Sequence, residues 1–99
     1  MRLSPQARQI IRNTSREVFG EAATVKLFGS RIDDSLKGGD IDLLIECPES
    51  VEEVGLKTAR LAARLQRQLG DQKIDVLCIW PGSPLSPAHK DAIKTGIAL

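Results

Sequence analysis

Apolar positions along this chain change their period as it proceeds, and the changes mark its elements. Leu3, Ala7, Ile10, Ile11, Thr14 and Val18 recur at three- and four-residue intervals, the buried face of a helix. Ser4 followed by Pro5 predicts its start, because the serine hydroxyl caps a free N–H and proline lacks one. Gly20 predicts its end. From about Thr24 to Phe28 the pattern becomes strand-like and breaks at Gly29-Ser30. Residues 31–39 are polar, leave room for one short helical turn, and close with Gly38-Gly39, which lets the backbone turn sharply. A second strand follows from Asp40 to Cys47. Its apolar run is nearly continuous beyond Asp42, as expected for a strand covered on both faces, and Pro48 stops it. Ser50, Glu52 and Glu53 announce a second helix, since acidic side chains suit a helix N-terminus. Val54, Thr58, Leu61, Leu65 and Leu69, flanked by Leu56 and Ala62, form its core stripe, and Gly70 ends it. Lys73 to Ile79 reads as a third strand. After Trp80, the loop PGSPLSP leads to Ser86-Pro87, which repeats the cap-and-proline start for a short helix to about Lys94.

These elements predict an α/β (α+β) fold: a three-stranded mixed sheet packed with helices, in the order αβ(α)βαβα, as a single domain over residues 1–99. The short connection between the first two strands suits antiparallel neighbours, and the helical crossover between the second and third suits parallel ones. That topology gathers Gly29 and Ser30, Asp40 and Asp42, and Asp75 at one edge of the sheet. Side chains at i and i+2 of a strand leave the same face, so Asp40 and Asp42 stand side by side while Ile41 turns into the packed layer. Adjacent carboxylates repel unless a cation lies between them. Asp75, between Ile74 and Val76 in an otherwise apolar strand, is a lone acid that costs free energy unless it is paired or metal-bound. Three carboxylates beside a glycine-serine turn are equipment for magnesium and a nucleoside triphosphate. The carboxylates hold metal, the glycine lets backbone approach phosphate, and a hydroxyl or amide bonds its outer oxygens.

Composition narrows the alternatives. The chain has 99 residues, with 14 Lys and Arg against 13 Asp and Glu, so bulk charge does not point to nucleic acid or an anionic membrane. Arg8, Arg12 and Arg16 line one side of the first helix, and Arg60, Arg64 and Arg67 the outer side of the second. A solvated basic stripe is the plain reading, and a docking surface for an acidic partner or RNA the sharper one. With aromatics limited to Phe19, Phe28 and Trp80, the stacking platforms for single-stranded nucleic acid are missing, and direct nucleic-acid binding is not expected. No apolar run approaches the roughly 20 residues of a membrane span, so the expected location is cytoplasmic with no membrane partner. Cys47 and Cys78 match no zinc spacing and read as small buried thiols. His89 reads as an exposed helix residue rather than a base.

At GSRIDDSLKGGDIDLLI and KIDVLCI the chain resembles the minimal nucleotidyltransferases of the DNA polymerase β superfamily, the MntA-like antitoxin group among them. Their signature is Gly-Ser, a spacer, Asp-x-Asp and a distant third Asp. The resemblance covers nearly the whole chain and implies a polymerase β-like nucleotidyltransferase fold. It implies that Gly29 and Ser30, with Gly39 through its backbone amide, hold the triphosphate. Asp40 and Asp42 would hold two magnesium ions and Asp75 the catalytic one, with Arg31 on phosphate or steadying the turn. Two departures stand out: Gly39 occupies a position where many members carry Ser, and Asp33 and Asp34 stand where many carry Arg and Gly. The resemblance further implies transfer of a nucleoside monophosphate, AMP from ATP, to a hydroxyl of a HEPN-domain toxin within a toxin–antitoxin pair of the type VII kind, in a hetero-oligomer. The alternative is an antitoxin that acts by docking alone, with a vestigial or regulatory nucleotide site.

Overall fold

The computed structural model describes residues 3–29, 40–70 and 72–99. Helix α1 spans Pro5–Phe19 and begins as its sequence dictates: Ser4 Oγ accepts a hydrogen bond from the Ala7 N–H at 3.0 Å, with Pro5 in the first turn. At its end the Gly20 N–H reaches Arg16 O, Gly20 has φ 106 and ψ 161, and a turn closed by the Ala23 N–H donating to Gly20 O at 3.1 Å leads to the first strand. Strands β1 (Thr24–Phe28) and β2 (Ile41–Glu46) follow, then α2 (Val54–Leu69), β3 (Ile74–Ile79), α3 (Pro87–Thr95) and β4 (Ile97–Ala98). The helical turn expected within 31–39 lies outside the described residues.

Helix α2 starts later than Ser50 and its acidic neighbours suggest. Glu53 takes a left-handed conformation (φ 51, ψ 47) and makes no side-chain cap. Val51 and Val54 both pack against the core, so apolar anchoring on either side of Glu53 sets the helix entry in place of a cap. By contrast α3 is capped in full. Ser86 Oγ accepts from the His89 N–H, and His89 Nδ1 accepts from the Ser86 N–H at 3.1 Å. His89 is therefore half-buried and engaged rather than exposed.

The sheet has the order β3-β2-β1-β4. As expected, β1 and β2 are antiparallel and β2 and β3 parallel. The fourth strand was not anticipated. Ala98 pairs with Lys26 and Ile97 with Leu27, and the Leu99 N–H donates to Val25 O at 3.1 Å. Two residues are too few to display a period of two, so only the neighbouring strand reveals them.

Strand alternation builds two unequal cores. On one face Val25, Leu27, Ile41, Leu43, Ile45, Ile74 and Cys78 lie under Ile11 of α1 and under Leu61 and Leu65 of α2. Each large side chain fully buried there contributes about 1.5–3 kcal/mol. Leu44 points the other way and is still 0% exposed. Helix α3 lies against that face, and its Ala92 is also 0% exposed. β2 is thus covered on both sides, the condition its continuous apolar run predicts. No helix among the described residues is long and apolar enough to cross a membrane.

Candidate active site

Register decides what stands beside what. Phe28 pairs with Asp42 across β1 and β2, and Asp42 pairs with Asp75 across β2 and β3. One row across the sheet therefore reads Phe28, Asp42, Asp75. The next row on the same face is Lys26, Leu44, Leu77, and α3 covers this side of the sheet. Because Ile41 is 1% exposed, the strand face is settled. Ile41 enters the main core, and Asp42 is turned to the opposite face at the end of the sheet where β1 stops.

Gly29 ends β1 at φ 81, a left-handed conformation that disfavours any side chain. Space excludes one as well: a Cβ there would collide with the Asp42 carboxylate, with Cγ only 3.1 Å away. The backbone of the Gly29 turn is thus pressed against the central carboxylate of the row. Asp40 is exposed immediately before β2, and the Ile41 N–H donates to Lys73 O at 2.9 Å, which ties the start of β2 to the start of β3. Ser30, Arg31, Gly39, Asp33 and Asp34 lie outside the described residues.

Electrostatics single out Asp42. Its carboxyl is pushed above the ordinary aspartate range, first by burial and then by the negative charges of Asp75 and Asp40, while Lys73 pulls the other way. A carboxylate whose charge is made costly by two neighbouring acids suits a hard divalent cation. Among the described residues, however, no group of three His, Cys, Asp or Glu side chains is drawn together closely enough to hold a metal ion. What is built is the registered pair Asp42 and Asp75, with Asp40 flanking it.

Two sequence-based expectations change here. Asp75 is not a buried acid. β3 is an edge strand and the Asp75 side chain is 52% exposed, so burial cost does not explain its presence; its register opposite Asp42 is what sets it in the row. The second change concerns Lys73, which lies outside the acidic signature and two residues before Asp75. Its Nζ lies 3.9 Å from Asp75 Oδ2, so a cation stands at the mouth of the carboxylate row. The signal was present in Lys73-Ile74-Asp75, whose i, i+2 spacing puts both charges on one strand face. The two cysteines are the small buried thiols that their spacing suggests. Cys47 and Cys78 are free and buried, and Cys78 is pushed up to about 12, chiefly by burial.

The sequence profile of the nucleotidyltransferase domain matches residues 8–97. No curated protein matches the chain significantly. Among solved structures, a mutant of the toxin–antitoxin MntA–HpeT is similar with a TM-score of 0.68 and 20% identity, over 92% of this chain and 68% of that one. A Shewanella oneidensis structure gives 0.64 and 14% identity, over 97% and 71% of the two chains. The tri-AMPylated Shewanella oneidensis HEPN toxin in complex with MNT antitoxin gives 0.59 and 18%, over 92% and 70%. These structures share the fold, and the profile runs from α1 through both halves of the carboxylate row to β4. The chain belongs to the nucleotidyltransferase domain family.

Proposed function

We propose that residues 1–99 act as one magnesium-dependent nucleotidyltransferase domain that moves AMP from ATP to a hydroxyl of a protein partner. The observation that carries the reading is the register of Asp42 opposite Asp75, with the Gly29 turn closed against Asp42. In this reading Gly29 and Ser30, with the Gly39 amide, cradle the triphosphate, and Arg31 contacts phosphate or steadies the turn. Asp40, Asp42 and Asp75 are the metal ligands. Magnesium, when bound, would neutralise phosphate charge and lower the pKa of the attacking hydroxyl. The hydroxyl oxygen forms a bond to the α-phosphorus, the bond to pyrophosphate breaks, and Asp75 takes the hydroxyl proton.

The acceptor in this reading is a hydroxyl carried by another protein. An AMPylated HEPN toxin with its MNT antitoxin is among the similar structures, which supports a HEPN-domain toxin as acceptor. It also supports a role for this chain as an antitoxin in a hetero-oligomer. Incubation with magnesium, α-labelled ATP and a co-expressed HEPN protein tests the reading. Label should appear on the partner and disappear in Asp75→Asn. Transfer that survives Asp40→Asn combined with Asp42→Asn would overturn it, and partner neutralisation by that double variant without label would identify docking alone as the activity.

A further inference from the structure

Arg8, Arg12 and Arg16 follow one another at four-residue spacing along α1. Among the described residues none of the three lies within ion-pair distance of a carboxylate; the ion pairs present join Lys26 to Glu46, Arg64 to Glu17 and Lys73 to Asp75. Arg12 has one neutral partner on this ridge, donating from Nη2 to Gln9 Oε1 at 2.9 Å. The Nε atoms of Arg8 and Arg12 are shielded from solvent and have no hydrogen-bond partner. A shielded donor without an acceptor is a deficit in the free protein. Two shallow grooves adjoin the ridge, one of about 250 Å³ beside Pro5, Arg8 and Gln9 and one of about 140 Å³ running from Arg12 and Arg16 to Ala98. Helix α1 packs on the core face of the sheet, opposite the carboxylate row, so the ridge is separate from the candidate active site.

We propose that this ridge docks a helix of the protein partner that carries carboxylates at i, i+4 and i+8, which rests on the reading that the chain acts on a protein. A helix rises about 6 Å over four residues, so an acidic helix laid along α1 meets each guanidinium in turn. A carboxylate takes two parallel N–H bonds from one guanidinium, and swinging Arg8 and Arg12 outward gives their shielded Nε donors acceptors. Charge complementarity selects protein over RNA. Three arginines on a chain of net charge +1 neutralise few phosphates, and the one aromatic of α1, Phe19, packs against the core where no base can stack on it.

The test follows the arginine Nε–H signals of the labelled protein by NMR during titration with a helical peptide of repeating Glu-Ala-Ala-Ala. A peptide of equal composition with scrambled glutamates and a 20-nucleotide single-stranded RNA serve as comparisons. The regular peptide should move the Arg8 and Arg12 signals, bind about tenfold tighter than the scrambled one, and lose that advantage in Arg8→Gln with Arg12→Gln. Asp75→Asn should leave the shifts unchanged, so a failed transferase reading would not mimic a failed docking surface. Equal response to both peptides, preference for RNA, or equal movement of the Arg60 and Arg67 signals would overturn the proposal. Should the double variant fold poorly, Arg12→Lys, which keeps the charge but loses the fork, supplies the same comparison.

Discussion

Asp42 shows how a side chain can suit a ligand and burden the fold at once. Its carboxyl is harder to ionise in the folded chain than in the unfolded one, through burial and through Asp75 and Asp40. With a raised folded pKa, the stability it contributes is fully present below the ordinary aspartate value and is lost as pH rises through the raised one. Asp42→Asn should therefore raise the urea midpoint at pH 7 without magnesium, and the gap should close as the pH is lowered. Added magnesium should raise the midpoint of the wild type and leave the variant where it was. Gly29→Ala should act in the opposite direction. A methyl at φ 81 against the Asp42 carboxylate should cost about 1–3 kcal/mol by denaturant titration, and label transfer should fall with it.

Among the elements, α3 is the one whose sequence signal and structural task meet most directly. Ser86 and Pro87 set its start, His89 closes the capping box, and Ala92 lies against the sheet face that would otherwise expose Leu44. Ser86→Ala should cost about 1 kcal/mol. Amide exchange should locate that loss, with α3 protected less and α1 unchanged. The start of α2 was less legible: Ser50 and its acidic followers resemble a cap, yet Glu53 turns left-handed and the helix begins at Val54. Burial of Val51 and Val54 on either side of that turn outweighs a cap whose net value is small.

At the scale of the whole molecule, the parallel pairing of β2 and β3 joins distant parts of the chain. It seats Asp42 opposite Asp75 at one end of the sheet and Ile45 opposite Cys78 towards the other. Burial keeps Cys78 a thiol up to about 12, against an ordinary value of 9.0. The unfolded chain ionises that thiol first, so its contribution to stability is complete below pH 9 and declines from there towards the folded value. With no tyrosine in the chain, no phenol titrates across that window. Alkaline urea titrations should show a falling midpoint that becomes shallower in Cys78→Val, with Cys47, also raised by burial, contributing to the slope that remains.

The sequence by itself determined the three helices, the first three strands and their pairing directions, because hydrophobic period, caps and connection lengths are local properties that survive without the fold. It also determined the glycine at position 29 and the outward face of Asp42, since strand alternation puts Ile41 on the other side. Tertiary structure alone decided that β3 is an edge, which makes Asp75 exposed. It alone added β4, whose two residues are a strand only by virtue of Lys26 and Leu27, and it left Arg8 and Arg12 with shielded donors and no acceptors. Each of these depends on which segments become neighbours, and a single chain read in order carries no record of its neighbours across space.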